Sequence, residues 1–79
     1  MTERVDVDVL PHSTEDAPRE ATENTLKALP GAGCVGFERD ESGAVIVRDG
    51  WVRAICLNPG FLMFAIERQG YARQAKMVR

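Results

Sequence analysis

The sequence predicts an α+β fold in which one antiparallel sheet carries two helices on one face. Three observations predict it. The chain opens on a segment, Val5 to Val9, in which valine alternates with aspartate, the pattern of a strand with one buried face. Two helical segments end on residues that stop a helix, Pro30-Gly31 and Gly70. Between them lie two β-prone runs, joined by the turn residues Asp40 to Gly43.

The first strand is expected over Arg4 to Leu10, and a loop from Pro11 to Asp16 follows it. Proline and short polar residues favour a loop there, and Asp16 is suited to cap the next helix. That helix is expected to bury one side, formed by residues at helical spacing: Pro18, Thr22, Thr25, Leu26 and Leu29. Because the set includes two threonines, it predicts a weakly apolar core.

The second strand is predicted from Cys34 to Arg39, and the chain then turns into a third strand from Ala44 to Arg48. The next turn signal, Asp49-Gly50, is ambiguous. It marks either another reversal, followed by an extra strand from Trp51 to Leu57, or a bulge or loop. The second helix has to start at the end of the sheet opposite the hairpin tip. A bulge or wide loop is therefore favoured, and residues 48–57 are treated as an inserted segment.

The second helix is predicted from Pro59 to Gln69, and the last strand from Tyr71 to Val78. The helix is expected to bury three residues: Leu62, Ala65 and Ile66. The order β-α-β-β-α-β defines a ferredoxin-like sandwich. A single domain covers residues 1–79, with residues 1–3 as an N-terminal tail.

Composition narrows the classes of function. A formal charge of -2 over 79 residues argues against a nucleic-acid partner, because phosphate binding needs a sustained basic surface. The longest apolar run, Phe61 to Ile66, is too short to cross a bilayer, and the N-terminus lacks the pattern of a secretory signal. A cytoplasmic location is therefore expected, with both cysteines reduced. No catalytic triad or phosphate-binding loop is found, so the chain is not expected to be an enzyme by itself.

Two short signatures, Leu26 to Gly31 and Ala65 to Tyr71, give the chain a family resemblance. Together with Val5 to Val9 and the helix start Asn58-Pro59, they resemble the heavy-metal-associated domain. This domain occurs in copper chaperones, in mercury-binding proteins and in the cytosolic tails of metal-pumping P-type ATPases. The resemblance implies the ferredoxin-like fold and the binding of a heavy metal.

The metal loop of that family reads Gly-Met-x-Cys-x-x-Cys, and this chain lacks both cysteines there. Counting back from Leu29 places Glu15 and Pro18 at the two cysteine positions. The resemblance therefore predicts the fold but not the family's usual ligands.

The loop still offers an imidazole and two carboxylates, from His12, Glu15 and Asp16, and the hairpin residues Asp40 and Glu41 are expected at the same end. These ligands suit zinc, cobalt or nickel better than copper(I). In the alternative interpretation, His12 is an exposed loop residue and the acids stabilise the helix N-terminus.

Cys34 and Cys56 are expected together at the opposite end, because one opens the second strand and the other precedes the second helix. Two thiolates suit zinc or cadmium, and a carboxylate such as Glu3 would complete the ligand shell. In the alternative interpretation, both cysteines are small buried hydrophobic residues.

The resemblance thus implies a metal-binding domain with a divalent ion (zinc, cadmium or cobalt) as its cofactor. The setting would be the N-terminal regulatory domain of a metal-transporting P-type ATPase, or a metallochaperone-like protein. A metal-free interaction domain on the same fold is the main alternative, and a two-cysteine redox sensor is the third. Phe64 is expected to face away from the core, flanked by Phe61 and Met63. This surface predicts docking on ATPase domains of the same chain or on a second copy, without direct membrane insertion.

Overall fold

The computed structural model describes residues 6–13 and 15–78. Its elements in chain order are β1 (Val7–Leu10), α1 (Asp16–Lys27), β2 (Cys34–Phe37), β3 (Val47–Arg48), β4 (Trp51–Cys56), α2 (Pro59–Gln69) and β5 (Gln74–Met77). All strand pairs are antiparallel, the strand order is β2-β4-β1-β5, and β3 also pairs with β4. The predicted ferredoxin-like α+β fold, with one antiparallel sheet and two helices, is confirmed. Of the predicted first strand, Arg4 and Val5 lie outside the described residues.

The core lies between the sheet and the two helices. Alternate residues of the central strands meet the helices, so that valines and alanine of β1 and β4 are almost fully buried. The largest fully buried side chains are Leu26, Leu62, Val7, Val9 and Val52. On the other face of the same strands, Asp8 pairs with Arg53 across β1 and β4, with Arg53 Nε 3.0 Å from Asp8 Oδ1. The helices therefore cover one face of the sheet, as predicted.

The start of α1 differs from the prediction. Asp16 is the first helical residue rather than the cap, and Glu15 at the N-cap makes no side-chain capping bond. The carboxylate of Asp16 instead accepts a bond of 2.9 Å from Arg19 one turn later. An acid in the first turn still interacts favourably with the helix dipole.

The buried face of α1 also differs. The buried residues of α1 are Glu23 and Leu26, whereas Pro18 and Thr25 are exposed. The Thr25 hydroxyl donates to the Ala21 carbonyl one turn back, at 2.9 Å, so this side chain is satisfied by its own helix at the surface. The buried side of α1 therefore includes Glu23, a charged residue that was not part of the predicted apolar set.

The chain reverses at Asp49-Gly50, so the predicted bulge or wide loop is wrong. Asp49 has φ 53° and Gly50 has φ 85°, and a two-residue turn of this kind requires two positive φ angles. The turn joins β3 to β4. Residues 48–57, predicted to be an insertion, contain β4, which lies between β2 and β1 in the sheet.

Residues 39–46 form a segment that leaves the sheet between β2 and β3. Both β2 and β3 pair with β4, with β3 opposite the start of β4 and β2 opposite its end. The tip of this segment is the predicted Asp40–Gly43 turn, and a bridge between Arg39 and Val45 holds its base. Of the predicted third strand, Ala44–Arg48, only β3 joins the sheet as a strand.

The second helix matches its prediction. The Asn58 side chain caps it by accepting the Phe61 N–H at 3.2 Å, and Gly70 ends it in the left-handed conformation at φ 68°. Its buried residues are the predicted set: Leu62, Ala65 and Ile66. The last strand is shorter than predicted because residues 71–73 bend before Gln74 joins β1.

Candidate functional site

The His12 loop lies beside the end of α2, as the predicted topology requires. The Nε2 atom of His12 is 3.0 Å from the carbonyl oxygen of Gly70. The loop and Glu15 border an open depression of about 450 Å³, and the turn on its other side is Asp49-Gly50. The predicted neighbours Asp40 and Glu41 do not line it.

Two of the carboxylates predicted at this end, Asp16 and Asp40, bind local partners rather than a common centre. Asp40 accepts the Ser42 hydroxyl at 2.6 Å and the Ser42 N–H at 2.8 Å, and these bonds hold the pKa of Asp40 below its usual value. Within residues 6–13 and 15–78, no group of three histidine, cysteine or acidic side chains is arranged to hold a metal ion. His12, Glu15 and Asp16 therefore share one end of the molecule without forming a ligand set.

Cys34 and Cys56 lie directly opposite each other, at the other end of the sheet. They are Cα partners across β2 and β4, neither forms a disulfide, and both are buried, at 7% and 5% exposure. The next pair outward, Gly33 and Leu57, carries the backbone bond, with the Leu57 N–H donating to the Gly33 carbonyl at 3.2 Å. In a non-hydrogen-bonded pair of this kind the Cα atoms lie about 4.5 Å apart and the side chains are close. The predicted juxtaposition of the two cysteines is confirmed.

Burial governs the chemistry of the Cys34 thiol. Desolvation raises the pKa of Cys34 above its ordinary value of 9.0, while the backbone of Gly36 partly opposes this and the charge of Glu23 adds to it. The thiol is therefore protonated at neutral pH. Any reaction that needs the thiolate must first remove this proton, so its rate or affinity rises with pH.

Glu23 forms a buried network that the apolar pattern of α1 did not predict. Its Oε2 accepts the Phe37 N–H at 2.7 Å, and its Oε1 accepts from Arg39 Nη2 at 2.6 Å. The Glu23 side chain is 6% exposed and that of Arg39 45%. Gly36 has φ +127°, and a Cβ there would lie 2.8 Å from Glu23 Oε2. The carboxylate thus satisfies a backbone donor at the irregularity of β2 and leaves no room for a side chain at Gly36.

Two features of the sequence pointed to this network. Glu23 lies three residues before Leu26, so the two share a helix face. A glycine inside a strand pattern, such as Gly36, indicates a bulge or a close approach of another group. The pairing of β2 with β4 does shift register between Cys34 and Gly36.

Three large apolar side chains at the start and outer side of α2 are exposed, and we call them the α2 patch: Leu57, Phe61 and Phe64. Their exposures are 87%, 39% and 58%. The guanidinium of Arg68 lies 6.0 Å from the centre of the Phe64 ring, one turn further along the helix. The prediction that Phe64 faces away from the core is confirmed, whereas Met63, predicted to flank it on this surface, is partly buried and packs against the core.

Fold and side chains together define a small ferredoxin-like α+β domain with a buried thiol pair at one end of its sheet. No family model matches the chain, and no curated protein or solved structure matches it either. In the part of the chain that the structure describes, neither helix is long and apolar enough to cross a membrane. The heavy-metal-associated resemblance therefore stays a prediction from the sequence signatures.

Proposed function

We propose that this domain binds a thiophilic divalent metal ion between the thiolates of Cys34 and Cys56. The observation that carries the proposal is the pairing of these residues as direct cross-strand neighbours. Two adjacent thiolates form half of the ligand set that zinc and cadmium take in proteins. The sequence resemblance, which concerns a metal-binding family, independently supports metal binding by this domain, while the choice of Cys34 and Cys56 rests on their pairing in the sheet.

The ligand type orders the candidate ions. Thiolates are soft donors, so cadmium is favoured over zinc, and zinc over cobalt. The remaining coordination positions fall to water or to groups outside the described residues, among which Glu3 is the predicted carboxylate. The His12 loop is left out of the proposed site because Asp16 pairs with Arg19 and because the described residues form no group of three metal-ligating side chains there.

The resemblance also supplies the setting of the proposal, a regulatory domain of a metal-transporting P-type ATPase or a metallochaperone-like protein. Cys56 is followed directly by Leu57, the most exposed member of the α2 patch. A metal at the cysteine pair would therefore act next to the surface proposed for docking. The reading frame beyond Arg79 tests this setting. Membrane-spanning segments encoded there would support the regulatory domain of an ATPase, and a stop codon would support the metallochaperone-like protein.

Metal titration tests the proposed site. We expect the reduced domain to bind one cadmium ion, with weaker binding of zinc and cobalt, and a thiolate-to-metal absorption band to develop in step. Cys34→Ser and Cys56→Ser should each weaken binding at least about tenfold, because each removes one of two anionic ligands. The matched control, His12→Ala with Glu15→Ala, should bind as the unmodified domain does.

The pH dependence gives a second readout in the same experiment. Because the pKa of Cys34 is raised, the proton that Cys34 releases on binding adds up to about a tenfold gain in affinity per pH unit below that pKa. Affinity should therefore increase from pH 6 to pH 9. Binding no tighter than millimolar for all three ions, or a loss that follows the His12 and Glu15 changes instead, contradicts the proposed site.

A second candidate function is a metal-free interaction domain that associates through the α2 patch. The observation that favours it is that Leu57 and Phe64 each expose more than half of their accessible surface. Large apolar side chains grouped at a surface mark sites of association. The partner tested first is a second copy of this chain.

Phe64→Asp tests this candidate. A carboxylate in the centre of an apolar contact is costly to bury, so the change should shift a self-associating domain to monomer in sedimentation equilibrium. The fold should persist, with unchanged far-UV circular dichroism, because Phe64 is 58% exposed. The control is Val35→Asp, which alters a residue of β2 that is 64% exposed and leaves the α2 patch intact. A parent domain that is monomeric at all concentrations contradicts the homodimer.

A further inference from the structure

We infer that Cys34 and Cys56 also form a reversible thiol–disulfide site, in which an intramolecular disulfide links β2 to β4. This inference uses the same two side chains as the proposed metal site but does not depend on metal binding. It rests on the register of the sheet, the face on which both residues lie, and the position of the pair at the ends of two strands.

The register places the sulfur atoms within reach of each other without movement of the strands. A disulfide needs Cα atoms about 4.4–6.8 Å apart and Cβ atoms that point toward one side. Direct antiparallel partners have Cα separations of about 4.5–5.5 Å, and the two side chains of a pair leave the sheet on the same face. Cys34 and Cys56 are such partners, and both belong to the buried cluster on the helix-covered face.

Position in the fold gives an oxidant a route to the buried pair. Cys34 is the first residue of β2, and Cys56 is the last residue of β4. Two backbone bonds close this end of the sheet, from the Leu57 N–H to Gly33 at 3.2 Å and from the Asn58 N–H to Ala32 at 3.0 Å. Opening them exposes the thiols while the centre of the sheet stays paired, and strand ends open more readily than central strands.

The chemistry with a peroxide as oxidant is balanced. The first thiol loses its proton, its thiolate sulfur attacks an oxygen of hydrogen peroxide, the O–O bond breaks, and the departing hydroxide combines with that proton to form water. The second thiol loses its proton in turn, and its sulfur attacks the sulfenic sulfur. The S–S bond forms as the S–O bond breaks, and the hydroxide that leaves combines with this second proton to form a second water. The two sulfurs lose two electrons, and the peroxide gains them.

The disulfide and the metal exclude each other, because a disulfide sulfur is no longer an anionic ligand. Oxidation would therefore release a bound metal ion and would block its return. The test below is run in the presence of a chelator, so that its failure and a failure of metal binding are separate results.

The experiment treats the reduced, metal-free domain with a small excess of hydrogen peroxide and follows mass and thiol content. We expect a monomer lighter by two hydrogen atoms, with both thiols lost when they are counted after unfolding, and a Cys34–Cys56 linked peptide on digestion. Far-UV circular dichroism should stay unchanged, and dithiothreitol should restore both thiols. The reaction should be faster at higher pH, because the thiolate rather than the thiol is the attacking species.

The single variants Cys34→Ser and Cys56→Ser serve as matched controls, since each retains one thiol in the same sheet end. They should gain oxygen or link two chains instead of losing two hydrogen atoms. The inference is overturned if the parent domain keeps both thiols under conditions that oxidise glutathione. It is equally overturned if its main product is a linked dimer, or if the disulfide appears only with loss of the fold.

Discussion

Glu23→Ala should lower the free energy of unfolding by about 2–4 kcal/mol. The largest contribution is the Phe37 N–H, which loses its acceptor at 2.7 Å and would stay buried without one, at a cost of about 1–3 kcal/mol. The cavity left by the carboxylate adds to this. The lost ion pair adds little, because the Arg39 side chain is 45% exposed and can return to water.

Urea unfolding of the purified domain measures this loss. The control is Glu20→Ala, which removes an exposed carboxylate from the same helix and should change the free energy of unfolding by less than about 0.5 kcal/mol. Glu23→Gln should fall between the two, since its amide oxygen can still accept the Phe37 N–H. A loss for Glu23→Ala as small as that for Glu20→Ala contradicts the network.

Gly36 provides an independent check on the same contact. In Gly36→Ala, strain at φ +127° adds to the clash of the new Cβ with Glu23 Oε2, at 2.8 Å. In a Glu23→Ala background the clash disappears and the strain remains. The two changes should therefore be non-additive, with Gly36→Ala costing less in the double variant. Additive losses would mean that the carboxylate does not lie against this glycine.

The fold was largely predictable from periodicity and stop signals, and the second helix shows why. Its apolar spacing, the cap at Asn58 and the glycine at Gly70 are local, and all three act in the structure. The position of the reversal was not predicted, although Asp49-Gly50 is itself a strong local signal. A bulge was expected instead, because the second helix has to start at the end of the sheet opposite the hairpin tip and the Asp40–Gly43 turn was the expected tip. In the structure, that turn is the tip of residues 39–46, which leave the sheet between β2 and β3. Both of these strands pair with the same edge of β4.

Only those features of the candidate site that follow from the order and pairing of the strands could be predicted from the sequence. The meeting of Cys34 and Cys56 follows from which strand ends share an edge, and it was confirmed. The hydrogen-bond partners of Asp16 and Asp40 depend on side-chain conformation, which cannot be predicted from the spacing of apolar residues in strands and helices. Asp16 binds Arg19, and Asp40 binds Ser42. Glu23 was missed for a related reason, since a charged residue on a buried face is rare unless it has partners, and those partners came from another element.

Leu62→Ala should cost about 2–5 kcal/mol, whereas Phe64→Ala should cost less than about 1 kcal/mol. Leu62 is fully buried between α2 and the sheet, and its truncation leaves a cavity in the centre of the core. Phe64 lies two residues further along the same helix and is 58% exposed, so its removal leaves no internal void. For a domain of this size, each kcal/mol corresponds to a shift of about 4–8 °C in the thermal midpoint.

Thermal unfolding of both variants therefore separates the two faces of α2. A core this small supplies only about 3–5 kcal/mol, so Leu62→Ala is expected to unfold near or below room temperature. Leu62→Met, which conserves volume, keeps the comparison measurable because it should cost less than about 1.5 kcal/mol. If Phe64→Ala destabilises the domain as much as Leu62→Ala does, then Phe64 belongs to the core. The α2 patch would then be too small for association, and the interaction function would lose its supporting observation.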